Sequence, residues 1–238
     1  MKTPKIVLLL FLTTLFTTSC SKDSTLTEIE QVEQSQHFNY TIGEGPFVYF
    51  DDIVFKELLL NNFDINTNKD NEISFEEATS FNGAIDVSFK NIESLKGIEK
   101  FVNITALNCA NNNIDKLNFA ANTNLEFLSC GNNPFSEINL KPNIKLKNLD
   151  IRTTSISTLD LSENINLMSI RGMCNYNLKT VNLKNNNNTK IAVFFFGHSN
   201  FSLECVQVDN ISYSNSATNW IIPTTAAYSL NCFDEMPG

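Results

Sequence analysis

The stretch ITALNCANNNI (residues 104–114) returns in modified form as LEFLSCGNNPF (125–135), LKNLDIRTTSI (146–156) and LMSIRGMCNYN (167–177). Successive copies begin 21 residues apart. A period of this length is typical of a solenoid, in which each unit is one coil that cannot bury its apolar side without a neighbouring coil. The repeat therefore predicts a stack of coils rather than a globule built around one core.

Three kinds of position recur in register along these units. The apolar positions are Ile104, Leu125, Leu146 and Leu167, followed by Leu107, Leu128, Leu149 and Ile170. The first polar row is Asn112, Asn133, Thr154 and Asn175. Each unit then has a second half (IDKLNF, FSEINL, ISTLDL or LKTVNL), and the second polar row after these halves is Asn122, Asn143, Asn164 and Asn186. One inserted residue near Cys174 lengthens the fourth unit.

The pattern resembles the leucine-rich repeat, L-x-x-L-x-L-x-x-N-x-L, over residues 82–190. The chain departs from that family at the third leucine position, which is Cys109, Cys130 or Gly172, and at Thr154 in the polar row. The resemblance implies an α/β-type solenoid of mostly short parallel strands and loops, with few regular helices and a helix-loop-helix cap at its N-terminal end.

The asparagines in register have a physical reason. A coil bends its backbone sharply and leaves inward-facing N–H and C=O groups without strand partners, and buried backbone groups need such partners. An asparagine amide supplies both a donor and an acceptor. We therefore expect the two polar rows inside the solenoid, whereas the run Asn185–Asn188 predicts an exposed loop.

The N-terminus has the features of an export signal. Lys2 and Lys5 precede the apolar stretch IVLLLFLTTLF, which is too short to span a bilayer and is typical of a signal peptide over residues 1–19. TTSC, ending at Cys20, resembles a bacterial lipoprotein cleavage box, and the polar residues after it resemble the surface-export signals of Bacteroidetes lipoproteins. The resemblance implies lipidation of Cys20 and an outer-membrane or cell-surface location. The alternative is an ordinary secretory peptide that is cleaved elsewhere.

The charge balance restricts the partners of the chain. The formal net charge is −9, and removal of the signal segment with its two lysines makes the mature chain still more negative. This balance argues against nucleic acid and against electrostatic docking on anionic lipid. Membrane contact is therefore expected only through the acyl chains on Cys20, with residues 20–46 as a flexible tether.

Residues 47–81 predict a helix-loop-helix cap whose loop, FDINTNKDNEIS, resembles an EF-hand calcium loop. Asn66 replaces the usual first aspartate, and Asn71 replaces the turn glycine and is expected to take a left-handed backbone. The ligand positions would be Asn66, Asn68, Asp70, Glu72 (by its carbonyl), Ser74 and Glu77. With two carboxylates among them, we expect one weak structural Ca²⁺, with a Kd of roughly 10⁻⁴–10⁻³ M. The alternative is a bare cap that its own asparagine turns hold together.

Residues 191–238 predict a C-terminal capping coil without a second repeat half, in which Trp220, Tyr213 and Tyr228 cover the last apolar face. In an exported protein, Cys205 and Cys232 are expected to form a disulfide that encloses this coil. Cys109 and Cys130 occupy the same inward position of adjacent coils and are expected to be buried thiols. A bond between them is the alternative, with poor geometry because their side chains run parallel.

The chain contains no recognisable catalytic motif, so we expect a surface rather than an active site. Residues between the inward anchors should face outward, and they suggest a binding patch. Its expected members are Phe127, Asp150, Arg152, Arg171 and Met173. The sequence thus predicts a lipid-anchored, non-enzymatic binding or adhesion module for a protein or a glycan. The alternative is a structural envelope lipoprotein without an extracellular ligand.

Overall fold

The computed structural model describes residues 46–232. The predicted signal segment, Cys20 with its expected lipidation, and all but the last residue of the predicted tether lie outside these residues, as do residues 233–238.

Two short helices and the loop between them form the N-terminal end of the described chain. Helix α1 spans Ile53–Leu60 and helix α2 spans Phe75–Ser80. The side chain of Asp52 accepts hydrogen bonds from two backbone N–H groups in the first turn of α1. Helix α2 begins with a capping box, in which Ser74 and Glu77 each accept a hydrogen bond from the backbone of the other. These caps satisfy amide groups that have no partner within the helix.

The repeats build a seven-stranded parallel sheet, which we call the first sheet, to which successive coils each contribute one strand. In spatial order its strands are β1 (Ala84–Asp86), β2 (Ala106–Asn108), β3 (Phe127–Ser129), β4 (Asn148–Asp150), β6 (Ser169–Arg171), β8 (Val193–Phe195) and β10 (Trp220–Ile221). The predicted solenoid of short parallel strands is confirmed.

The second halves of the later units form a parallel second sheet of four strands. Its strands are β5 (Thr158–Asp160), β7 (Thr180–Asn182), β9 (Cys205–Gln207) and β11 (Ala227–Ser229). The remaining elements are helix α3 (Ile211–Ser216) and the 3₁₀ turns Ile98–Lys100 and Asn188–Lys190.

The core lies between the two sides of each coil. The middle residue of each first-sheet strand points inward and is paired in register with its neighbours. From β2 to β8 these residues are Leu107, Leu128, Leu149, Ile170 and Phe194, all at most 2% exposed. Because successive side chains of a strand point to opposite faces, the residues on either side of them face outward.

From β1 to β8, each coil leaves the first sheet through a residue with a left-handed backbone, a feature that the repeat pattern does not reveal. These residues are Phe89, Asn111, Asn132, Thr153, Cys174 and Ser199, with φ between 55° and 61°. Asparagine tolerates this conformation better than other residues with a side chain. The β-branched Thr153 is therefore strained where its neighbours Asn111 and Asn132 are not.

The first polar row lies inside the solenoid and uses both ends of its amides. Asn133 is typical: its Nδ2 donates to the carbonyls of Cys109 and Cys130 at 3.0 Å, and its Oδ1 accepts from the N–H of Ile114 at 3.0 Å. Thr154 takes part by donating from Oγ1 to Oδ1 of Asn175 at 2.7 Å. Each side chain of the first polar row therefore joins two neighbouring coils.

The second polar row also lies inside, but its last member is Asn185 and not Asn186. Nδ2 of Asn185 donates to the carbonyl of Asn164 at 3.1 Å, as Asn164 does to Asn143 at 3.0 Å. The turn from the end of β7 to Asn185 is one residue shorter than the turn from the end of β5 to Asn164. This difference brings Asn185 opposite Asn164. Asn186 is exposed.

The exposed loop expected at Asn185–Asn188 is therefore wrong. Asn185, Asn187 and Asn188 are at most 3% exposed, and Asn186 alone faces solvent. The amide of Asn187 donates to the carbonyl of Leu167 at 2.7 Å, so this run satisfies buried backbone groups of the preceding coil.

The C-terminal end continues both sheets, which corrects the expectation of a coil without a second half. Strand β9 pairs in register with β7, and β11 pairs with β9. Trp220 is buried in the inward row, with ring centroids 5.1 Å from Phe194, 5.9 Å from Tyr213 and 6.0 Å from Tyr228. Its Nε1 donates to the carbonyl of Ile191 at 3.0 Å. An aromatic cluster thus covers the last coil.

A disulfide joins Cys205 in β9 to Cys232 just after β11, with their Cα atoms 5.9 Å apart. It ties the end of the described chain to the preceding strand of the second sheet. Within residues 46–232, no helix is both long enough and apolar enough to cross a membrane.

Candidate binding surface

The outward face of the first sheet presents two rows of side chains whose order follows from the strand register. One row contains Ala106, Phe127, Asn148, Ser169 and Val193. The other row contains Asp86, Asn108, Ser129, Asp150, Arg171, Phe195 and Ile221. The chemistry of the second row changes along the solenoid, from polar and acidic residues in the first coils to apolar residues in the last two.

Asp150 and Arg152 form an ion pair on this face. Nε of Arg152 lies 2.8 Å from Oδ1 of Asp150, and Nη2 lies 2.6 Å from Oδ2. The hydrogen bonds that the Arg152 guanidinium donates to Asp150 raise its pKa above the ordinary value, against a smaller opposing effect of burial. Arg171 lies directly across the ladder from Asp150. Among residues 46–232 Arg171 has no hydrogen bond or ion pair from its own side chain.

The structure brings together only part of the predicted patch. Asp150, Arg152 and Arg171 are neighbours, and the half-buried Met173 follows on the same coil. Phe127 is 41% exposed, but it lies on β3, two strands from the strand that carries Arg171. Two strands correspond to about 9–10 Å, so Phe127 does not sit beside that arginine.

The sequence-based patch misses the aromatic residues of the last coils. Phe195 lies across the ladder from Arg171, and its ring centroid is 5.4 Å from that of His198. Phe194 and Phe196 are fully buried, so alternation along the run FFF places Phe195 outward. That alternation is a usable sequence signal once the register of β8 is known.

A second pair of aromatic side chains lies where the last coils leave the first sheet. The N–H of Asn175 donates to Oδ1 of Asn200, which makes these two residues equivalent on adjacent coils. Tyr176 and Phe201 follow them directly and are 56% and 71% exposed. In the earlier coils the equivalent positions, next to the first polar row, are Asn113, Pro134 and Ser155.

The predicted calcium loop is closed by its own hydrogen bonds. Oε1 of Glu77 accepts from the N–H and Oγ1 of Thr67 and from the N–H of Asn68, and Oε2 accepts from the N–H and Oγ of Ser74. Burial by itself would raise the pKa of Glu77, but these bonds outweigh it and hold the pKa below its ordinary value. The carboxylate expected to face an ion already has protein donors.

The backbone of this loop also differs from the expectation. Lys69 takes the left-handed conformation, at φ 60°, whereas Asn71 at the turn-glycine position does not. Oδ1 of Asp70 accepts from the N–H of Glu72, and Oδ2 accepts from Nδ2 of Asn68. Glu72 itself pairs with Lys56 at 2.7 Å.

One atom of the loop fits a metal ligand. Asn66 is 3% exposed, its Nδ2 donates to the carbonyls of Leu60 and Asp70, and its Oδ1 is buried without a hydrogen-bond donor. Among residues 46–232, however, no group of three or more His, Cys, Asp or Glu side chains could hold a metal ion. The donor set is therefore one free amide oxygen together with carboxylates that are already hydrogen-bonded.

In the described part of the chain, residues 46–232, the cysteines outside the disulfide are free thiols: Cys109, Cys130 and Cys174. Cys109 and Cys130 are fully buried, and burial raises the pKa of Cys109 to about 12 and that of Cys130 well above its ordinary value. A thiol in this state is a poor nucleophile. Cys174 is half-buried, at the left-handed position of its coil.

Similarity to known proteins is seen at the level of solved structures. No protein-family model and no curated protein matches the chain. Similar crystal structures come from Listeria monocytogenes. The functional domain of InlJ, which includes a cysteine ladder, is 18% identical, with a TM-score of 0.42 over 76% of this chain and 54% of that one. The chain thus spans about half of that domain.

Two further internalins from the same organism are similar. Internalin InlF is 16% identical, with a TM-score of 0.44 over 79% of this chain and 74% of that one. Internalin C2 is 17% identical, with a TM-score of 0.44 over 76% of this chain and 92% of that one. The parallel first sheet, the inward apolar rows and the buried asparagine rows together show that this chain has the leucine-rich repeat fold.

Proposed function

We propose that the chain is a non-enzymatic binding module that contacts a protein through the outward face of the first sheet. The observation that carries this proposal is the change along the outward row, from Asp86 and Asn108 to Arg171, Phe195 and Ile221. The solenoid needs apolar residues only at its inward positions, so apolar residues facing outward are not required by the fold.

The residue types on this face favour a protein over a glycan. Aromatic residues, methionine and arginine are enriched at protein–protein interfaces relative to the rest of the surface. Arg171, Met173 and Phe195 have this composition, and the sheet holds Arg171 and Phe195 on a rigid support. Side chains on such a support lose less entropy on binding than side chains on a loop.

Arrays of proteins and of glycans, probed with the purified mature chain, test this proposal. We expect binding to protein spots that is lost when Arg171 and Phe195 are replaced together by serine. The control replaces the exposed Asp115 and Lys116 by serine and should bind like the parent. A chain that binds no spot on either array would favour the structural lipoprotein instead.

The proposed location is the cell surface, through acyl chains on Cys20. The support is the sequence of the leader and the box that ends at Cys20, together with the net negative charge that disfavours other membrane contact. Labelled palmitate should enter the parent chain in cells and not the Cys20→Ser variant. Protease added to whole cells should cleave the protein, whereas a chain facing the periplasm would be protected.

Calcium at the N-terminal loop remains a proposal of the same kind. Its support is the sequence match and the unpartnered Oδ1 of Asn66, which occupies the first ligand position. An ion there would compete with the N–H donors for the oxygens of Glu77, so binding would be weak, with a Kd of roughly 10⁻⁴–10⁻³ M. Its role would be to hold the loop rather than to signal.

A further inference from the structure

The last two coils carry a group of outward side chains on and just after strands β6 and β8, which we call the C-terminal patch. Its members are Arg171, Met173, Tyr176, Phe195, His198 and Phe201. Phe195 is next to Arg171 across the ladder, and its ring centroid lies 5.4 Å from that of His198. The carbonyl of His198 accepts from the N–H of Cys174 at 2.9 Å, which brings His198 beside the coil that carries Met173 and Tyr176.

The repeat itself provides the reference for this patch. The positions equivalent to Phe195 in the earlier coils are Asp86, Asn108, Ser129, Asp150 and Arg171. The positions equivalent to Phe201 are Asn113, Pro134, Ser155 and Tyr176. The same solenoid positions are thus small or polar in the early coils, so the fold does not require aromatic residues there. Phe195 is half-buried, whereas Tyr176 and Phe201 are exposed. Apolar side chains left on the surface near one another mark interaction sites.

The charges on the patch indicate which kind of ligand it can bind. The carboxylate of Asp150 accepts three hydrogen bonds from the guanidinium of Arg152, and no member of the C-terminal patch has a carboxylate. Arg171 therefore remains available on a molecule whose formal net charge is −9. An incoming carboxylate would find a planar donor group here, flanked by the ring of Phe195.

We propose that the C-terminal patch binds a protein segment in which a carboxylate lies next to an aromatic or aliphatic side chain. This proposal rests on the proposed function. The carboxylate pairs with Arg171, and the apolar side chain packs on Phe195 and the rim formed by Tyr176 and Phe201. Most of the affinity comes from the apolar contact, because one exposed ion pair contributes little by itself. Raising the salt concentration should therefore weaken binding only modestly.

The test uses random dodecapeptides displayed on phage and selected against the purified mature chain. The expected pool is enriched in Asp or Glu beside Phe, Tyr, Trp or Leu. The most enriched peptide is then synthesised, and its binding is measured by fluorescence polarisation. We expect Phe195→Ser and Phe201→Ser each to weaken binding about tenfold or more, as loss of a hot-spot side chain does. Arg171→Ser should weaken binding by about two- to fivefold, because one exposed ion pair contributes little. Thermal unfolding of each variant checks that the fold is kept.

Phe127→Ser is the matched control, because Phe127 is an exposed phenylalanine on the same sheet but two strands away. It should leave peptide binding within about twofold, well below a hot-spot effect. An enriched peptide without a carboxylate, or one that depends on Phe127 rather than Phe195, would overturn the proposal and leave the binding function standing. The proposal is also overturned if no peptide is enriched, or if the patch variants lose only glycan binding. Loss of all protein binding on the arrays would instead remove the proposed function itself.

Discussion

Arg152 donates hydrogen bonds to the carboxylate of Asp150, two residues earlier in the chain, with Nε 2.8 Å from Oδ1 and Nη2 2.6 Å from Oδ2. The same carboxylate faces Arg171 across the parallel ladder. One acid thus lies next to two arginines, and it accepts hydrogen bonds from Arg152. We expect this pairing to keep the guanidinium of Arg171 available.

Arg152→Ala should weaken peptide binding at the C-terminal patch, although Arg152 lies outside it. The substitution releases Asp150, which can then pair with Arg171. Asp150→Asn added to the same chain should restore binding, because no carboxylate remains to compete. Fluorescence polarisation with the selected peptide measures both effects. The stability of Arg152→Ala should fall by less than about 1 kcal/mol, as is usual for an exposed pair. Unchanged binding in the single variant would contradict this competition.

The two asparagine rows should differ in what they contribute to stability. Asn133→Ala leaves the carbonyl of Cys130 and the N–H of Ile114 without a partner, whereas the carbonyl of Cys109 keeps its bond from Asn112. The substitution should cost about 3 kcal/mol. Asn143 donates to the carbonyls of Phe119 and Asn122, but its Oδ1 accepts no bond. Asn143→Ala should therefore cost less, about 1–2 kcal/mol. Urea unfolding measures both, and equal losses would show that Oδ1 of Asn143 has a partner in solution.

Thr153→Asn should stabilise the protein. Thr153 holds φ 55° with a β-branched side chain, at a position where the two preceding coils have Asn111 and Asn132. Relief of that strain should raise the free energy of unfolding by about 1 kcal/mol. Thr153→Val is the matched control, because it keeps the branched carbon and should bring no gain. A stabilised valine variant would locate the effect in the hydroxyl instead.

Loss of the disulfide should destabilise the C-terminal end. The bond closes a segment with a sequence separation of 27. In the chain-entropy account, the double variant Cys205→Ser and Cys232→Ser should lose about 3–4 kcal/mol. Cys174→Ser removes a half-exposed free thiol and should change stability by less than about 0.5 kcal/mol. Thermal unfolding without reductant compares the three chains, and an unaffected double variant would contradict the expected contribution.

Glu77 should make stability fall in acid. Its hydrogen bonds hold its pKa below the ordinary value of 4.5. Its carboxylate therefore stabilises the fold at neutral pH, and this contribution is lost as the pH falls below 4.5 through the folded-state pKa. Glu77→Gln should be less stable than the parent at neutral pH and should lose less on acidification. Parallel stability curves for the two chains would contradict this role.

The same residue tests the calcium proposal through a second measurement. Millimolar Ca²⁺ should raise the melting temperature of the parent, and Glu77→Ala should abolish the rise. The variant should also melt lower than the parent without calcium, because it loses the hydrogen bonds from Thr67, Asn68 and Ser74. If calcium does not change the melting temperature of the parent, the calcium proposal is wrong and the loop is held by its own hydrogen bonds.

Particular residues show how far sequence reasoning reached. The inward positions of Leu107 and Leu128 follow from the repeat, because a coil must bury the same face as its neighbours. The interior place of Asn133 follows from the need to satisfy bent backbone. In contrast, the prediction of an exposed loop at Asn185 is wrong, because the turn after β7 is one residue shorter than the turn after β5. The period does not state where such a residue is lost.

The outward surface shows the same limit. Phe127 and Arg171 were placed together because they share outward positions, but the register separates them by two strands. Phe195 was not assigned to the patch because the run of phenylalanines can be read in either alternation. The pairing of β8 with β6 fixes which ring is buried. Neighbours on a sheet face come from different coils, so their identity depends on every insertion between them.

The sequence by itself determined that this chain stacks 21-residue coils with leucines and asparagines inside, because burial and backbone satisfaction act on every coil alike. The tertiary structure alone decided that Arg152 neutralises Asp150, that Arg171 meets Phe195, and that Glu77 closes the cap loop. These contacts depend on lateral register and local backbone geometry, which differ from coil to coil. The periodic forces that keep the stack in order act on the inward side chains and leave the outward ones unconstrained.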